Sequence, residues 1–174
     1  MATIEEQLVD SSKMLADIIV NKIGNNKQQF SEAIELMLKD KYPISMRAGR
    51  IVHFVSEKHP HLVAPYYERM VNLLPTARVD GVKRSIQKIM YETPYDLTEE
   101  MWGKLTDISF NFIEDPKQAI AIRAFAIDFI VKTLNIYPEI KPELIALLES
   151  VRIDCSVGLE NKCRKLIQKL KSNK

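Results

Sequence analysis

Proline-bounded helical segments return along this 174-residue chain on a beat close to forty residues, which restricts the fold more than any other feature does. Aligned on an arginine near the start of every second helix, Arg47, Arg84, Arg123 and Arg164 stand 37, 39 and 41 residues apart. Seven places beyond them come Phe54, Tyr91, Ile130 and Lys171, and the links Pro60–Pro65 and Pro138–Pro142 resemble one another. A period of this length belongs to stacked helical hairpins. Each pair of helices buries only one face by itself, so its neighbours must complete the core.

Inside the beat, apolar residues fall at helical spacing almost everywhere, glycine totals 5, and no alternating strand-like run of useful length occurs. The chain is therefore expected to be all-α. An N-terminal helix over residues 1–26 should begin at Thr3, with Glu6 completing a capping box. It should bury Ile4, Leu8, Leu15, Ile18 and Ile19 and stop at Gly24. Helix pairs are expected over 28–62, 63–97, 98–138 and 139–174, with Pro43, Pro75, Pro94 and Pro116 ending helices. The expected architecture is an α-α superhelix, a solenoid of about four stacked pairs plus the N-terminal helix, forming one domain over 1–174. Ile51, Val52, Val55, Ile86, Ile89, Met90, Phe125 and Phe129 should fill its interfaces.

The segments Asp80-Gly-Val-Lys-Arg84 and Met46-Arg47-Ala48 carry a further signature: a hydrophobic residue and an arginine opening the second helix, often after an acidic residue. In this the chain resembles the HEAT and armadillo repeat class over roughly residues 28–171. The first pair lacks the acidic residue, and the last has its arginine after Cys163, as a terminal pair facing water can. The resemblance implies that second helices line a concave surface and that the chain is a non-enzymatic protein-interaction or scaffold module, binding a protein or peptide there.

On that surface Arg47, Arg50 and Phe54, and one period later Arg84, Gln87 and Tyr91, are expected to form a stripe of cations and aromatics, with Arg123 following. Such a stripe suits an acidic peptide, or alternatively a phosphate or nucleic-acid backbone. The competing reading is a framework one, in which Arg47, Arg84 and Arg123 bond acidic side chains or helix-end carbonyls of the adjoining repeat. Arg50, Phe54, Gln87 and Tyr91 lie further along the helices and are then the freer residues.

Charge adds little direction. Lys plus Arg number 25 against 23 acidic residues, so a net +2 makes neither nucleic acid nor an anionic membrane an obligatory partner. The basic run Lys162, Arg164, Lys165, Lys169, Lys171 and Lys174 flanks an apolar stripe and reads as a terminal capping helix with a solvated face. The acidic N-terminus does not read as an export signal, no apolar stretch approaches ~20 residues, and Cys155 and Cys163 are not spaced as C-x-x-C. A reducing cytoplasmic location without membrane insertion is the expectation; the oligomeric state is left open.

No cofactor is implied. His53, Glu57, His59 and His61 form the only local group with metal-ligand chemistry, but Pro60 breaks the helix between the last two and nothing nearby completes a set, so no metal is expected. Trp102 and Asp107 invite comparison with HEAT-like DNA glycosylases that act on alkylated bases, a distant third reading beside that of Trp102 as a core anchor. The G-S-S-x-M-P loop of the large helical lyases is missing.

Overall fold

The computed structural model describes residues 3–92 and 97–172, so the expected helix end at Pro94 and the last lysine of the basic run, Lys174, lie outside the described residues. Among the described residues every regular element is helical. The chain divides into two compact units, Met1–Met101 and Trp102–Lys174.

In the N-terminal unit the expected first helix is two. The Thr3–Glu6 capping box forms, Glu6 N donating to Thr3 Oγ1 over 3.2 Å and Thr3 N to Glu6 Oε2 over 2.8 Å, yet helix α1 covers only Ile4–Gln7. Asp10 and Ser12 break the run. Ser12 N donates to Asp10 Oδ1 at 2.7 Å, and Ser12 Oγ accepts from Leu15 N to cap a new helix, α2, Lys13–Ile23. Short polar side chains offer the backbone local bonds that compete with a continuing helix. The restart turns the apolar face: Ala16, Ile19, Val20 and Ile23 are buried, Leu15 is half-buried, and Ile18, expected inside, is 56% exposed. Gly24, at φ 47°, closes α2 in a conformation that suits glycine.

Helix α3 spans Lys27–Leu38, with Asn26 Oδ1 accepting from Gln28 N and Gln29 N, and α4 spans Ile44–Lys58. Pro43 does not end α3, which stops at Leu38; it stands directly before α4. Between the two, Asp40 adopts a left-handed φ of 51° and accepts from Arg78 N at 2.6 Å and Val79 N at 3.0 Å. The first pair thus has the acidic residue it was expected to lack, bonded forward to the next pair. Helices α5 (Pro60–Val63), α6 (Tyr67–Leu73) and α7 (Asp80–Glu92) follow.

Helix α4 packs against α2, α3, α5 and α7, while α1 packs against α3. The two N-terminal helices therefore sit on the α3–α4 pair as a short first pair of their own, in place of the single preceding helix that was expected. The polar ties share one offset, since Leu8–Arg47, Ser11–Arg50, Asp40–Val79 and His53–Glu92 each span 39 residues, two more than separate Arg47 from Arg84. Ile51, Val52, Val55, Ile86, Ile89 and Met90 are all buried as expected.

Small residues let α4 and α7 approach. A Cβ added at Gly49 would stand 2.8 Å from Ser85 Oγ and 3.1 Å from Ser85 Cβ, whereas one added at Gly103 would meet nothing within 4 Å. Gly49→Ala should therefore lower stability by about 1–2 kcal/mol through overpacking, and Gly103→Ala should raise it by up to ~1 kcal/mol through helix propensity. Thermal unfolding of the two variants side by side checks this; stabilisation by both would contradict the close approach.

The C-terminal unit carries α8 (Glu99–Glu114, whose first residues precede it), α9 (Ile120–Thr133), α10 (Lys141–Val151) and α11 (Val157–Ser172). Helices α8 and α9 are joined by the rings of Trp102 and Phe129, stacked with centroids 5.3 Å apart, and both residues are buried. Phe125, expected in the core, is only half-buried. Leu144 and Leu148 of α10 and Leu159, Cys163 and Ile167 of α11 fill the second pair, and Lys162 of α11 reaches back to Asp128 of α9 at 2.6 Å.

Candidate functional site

The arginines that share a sequence register do not share surroundings. Arg47 Nη1 donates to Leu8 O at 2.7 Å and Arg50 Nη1 to Ser11 O at 2.8 Å, so both α4 cations hold the segment that joins α1 to α2. These carbonyls lie where the first helix stops and its own amides cannot serve them. Arg50 also lies over the Phe54 ring, 5.5 Å from its centroid. Arg84 is exposed and, among the described residues, reaches only Asp80 O of its own helix, at 3.4 Å. Arg123 is 6% exposed, and its Nε and Nη2 both donate to Ile113 O near the end of α8, at 3.0 and 2.8 Å. Arg164 stays at the surface beside Asn161 and Glu160.

The stripe itself is interrupted. The structure brings Arg50 and Phe54 together, leaves Tyr91 at the surface, and buries Gln87 to 7% exposure, so Gln87 presents no face to a ligand. Of the C-terminal basic run, Lys162 pairs with Asp128 and Lys171 with Glu149, while Lys165 and Lys169 are exposed.

Two groupings escaped the sequence. The first joins α4 to α7: His53, 5% exposed, has its Nε2 3.0 Å from Glu92 Oε1 and 3.7 Å from Glu57 Oε1, and the three atoms lie within 4.8 Å of one another. Glu57 sits one turn from His53 and was visible. Glu92 lies 39 residues further on, whereas the offset between Arg47 and Arg84 is 37 and leads from His53 to Met90, so the sequence alignment did not pair them. His59 and His61 take no part; His61 Nε2 meets Asn25 Oδ1 at 2.7 Å.

The second is a groove of about 590 Å³ between α8 and α10. Asp107, Phe110, Asn111 and Glu114 line it at i, i+3, i+4 and i+7 along α8, and Glu143, Ala146 and Leu147 at i, i+3 and i+4 along α10. Helical spacing puts each set on one face of its helix. Phe110 and Leu147 are half-buried and form an apolar floor, while Asp107, Glu114 and Glu143 are exposed along its edges. None of the three carboxylates forms an ion pair or side-chain hydrogen bond with a described residue. Only Asp107 drew notice in the sequence. Nothing in the sequence shows that the acidic face of α8 lies beside the matching face of α10.

Other chemistry finds little support. Burial pushes the thiols of Cys155 and Cys163 up, away from the nucleophilic thiolate form. Trp102 lies in the core, 5% exposed, where a base could not stack on it. No described helix is long and apolar enough to cross a membrane.

Compared with known proteins, residues 4–170 match a family model described as HEAT repeat domain. The match begins at the first residue of α1 and so takes in the short N-terminal pair. No curated protein and no solved structure matches the chain.

Proposed function

Because this chain belongs to the HEAT repeat domain family, whose repeats generally mediate protein interactions, we propose that it is a scaffold module that holds a cationic amphipathic helix of a partner protein in the α8–α10 groove. The observation that carries this reading is the groove's three carboxylates, without partners among the described residues, around a half-buried Phe110 and Leu147. At other places surface charges are paired across helices, as with Lys162 and Asp128 and with Arg69 and Glu35. An apolar helix face would cover the floor, and lysines or arginines beside it would meet Asp107, Glu114 and Glu143.

The second-helix stripe is the alternative surface. It is less suited to an anionic partner than its sequence suggests, since Arg47 and Arg50 already donate to backbone carbonyls and Arg123 is buried. Phosphate or nucleic-acid binding would need those cations outward.

Fluorescence anisotropy with a labelled helical peptide, leucines on one face and lysines flanking them, tests the choice. Asp107→Lys with Glu143→Lys should weaken binding at least ~10-fold, about 1.4 kcal/mol, while Arg50→Ala with Tyr91→Ala leaves it unchanged. Asp107 and Glu143 are exposed with no side-chain partner among the described residues, so their substitution should alter stability by no more than ~0.5 kcal/mol and an affinity change would report the surface and not unfolding. Undiminished binding by the charge-reversed variant would overturn the groove, and binding of an acidic peptide lost with Arg50 and Tyr91 would return the site to the second helices.

A further inference from the structure

We propose that His53, Glu57 and Glu92 form a site for one divalent transition-metal cation, with Zn²⁺ the best fit, that clamps α4 to α7. This goes beyond the groove and does not depend on it, since all three residues lie in the N-terminal unit. Ligand atoms around tetrahedral zinc, at about 2.0–2.2 Å from the ion, stand roughly 3.3–3.5 Å from one another. The two distances from His53 Nε2, 3.0 and 3.7 Å, bracket that spacing. One imidazole nitrogen and two carboxylate oxygens suit zinc and its first-row neighbours better than calcium or magnesium, which favour oxygen alone.

Charge supports the same conclusion. Glu57 and Glu92 are brought together with only His53 as an ion-pair partner, and neither pairs with a described lysine or arginine. With neutral imidazole the cluster carries two negative charges, which a divalent ion balances. The rigidity is distributed as a site requires. His53 is buried and held on α4, whereas the Glu57 and Glu92 side chains, 45% and 36% exposed, retain the freedom to draw in from the 4.8 Å within which the three ligand atoms lie. Three protein ligands leave a fourth position for water or a partner's side chain.

Zinc itself is the probe. The full chain, freed of metal with a chelator and carrying Cys155→Ser and Cys163→Ser so that thiols cannot compete, is titrated with Zn²⁺ by calorimetry and followed by thermal unfolding. One equivalent should bind and raise Tm. Glu57→Gln is the informative variant, because it removes a ligand and leaves the His53–Glu92 tie between helices in place. It should weaken zinc binding at least ~10-fold while the metal-free Tm stays at the parent value, and His53→Gln and Glu92→Gln should weaken it at least as much. His61→Gln, in a histidine outside the cluster, should bind as the parent does. Absence of binding by the parent, or equal binding by parent and Glu57→Gln, would overturn the site and leave His53–Glu92 as a hydrogen-bonded tie.

Discussion

Arg123→Ala should lower the unfolding free energy by about 3 kcal/mol. The guanidinium is buried and forks on one carbonyl, with Nε and Nη2 donating to Ile113 O at 3.0 and 2.8 Å. Hydrogen bonds from a charged donor contribute about 1.5–3 kcal/mol, and a buried carbonyl left without its partner costs a further ~1–3 kcal/mol. Ile113 is the penultimate residue of α8, where unsatisfied carbonyls gather and a cation is electrostatically favoured. The linear side chain of methionine separates packing from bonding: Arg123→Met should regain part of the loss, because it restores apolar contact without the fork. Denaturant unfolding followed by circular dichroism measures both. If Arg123 were a ligand-binding residue instead, the alanine variant would keep its stability and lose only affinity.

Trp102→Ala should have a larger effect still, about 3–5 kcal/mol, the range for deleting a buried aromatic side chain. The indole is 5% exposed and stacks on Phe129 with ring planes 29° apart, so its removal opens a cavity between α8 and α9 at the start of their pair. Trp102→Phe keeps most of the ring contact and should lie nearer the parent. A Tm for Trp102→Ala equal to that of the parent would show that the ring is not a core element and would revive a surface role for it.

The N-terminal segment shows how the periodic pattern misleads locally. Ile4, Leu8, Leu15, Ile18 and Ile19 look like one apolar face only if a single helix runs through Asp10-Ser11-Ser12. Once Ser12 caps α2, the angular phase is reset and Ile18 turns outward. The capping chemistry was present in the sequence, but the choice between continuing and restarting depended on α3 and α4. Glu32 of α3 accepts from Ile4 N at 2.6 Å, and Arg47 and Arg50 of α4 take the carbonyls of Leu8 and Ser11. The broken helix has those partners; a continuous one would not.

By itself the sequence determined that this protein is an all-helical repeat and set its period, because helix formation and the burial of one face per helix follow from residues a few places apart. It also named the buried residues at the α4–α7 contact, from Ile51 and Val52 to Ile86 and Met90. What a charged side chain does was decided by tertiary structure alone. Arg47, Arg84 and Arg123 are alike in register, yet one holds a loop carbonyl, one faces solvent and one is buried in a fork. Glu92 meets His53 across 39 residues, and Asp107 shares a groove with Glu143 on a different helix. Apolar burial is non-directional and survives small shifts of a neighbouring helix. A hydrogen bond or a ligand set needs partners within about 3 Å and in line, and only the packed arrangement of helices far apart in the chain supplies that distance and angle.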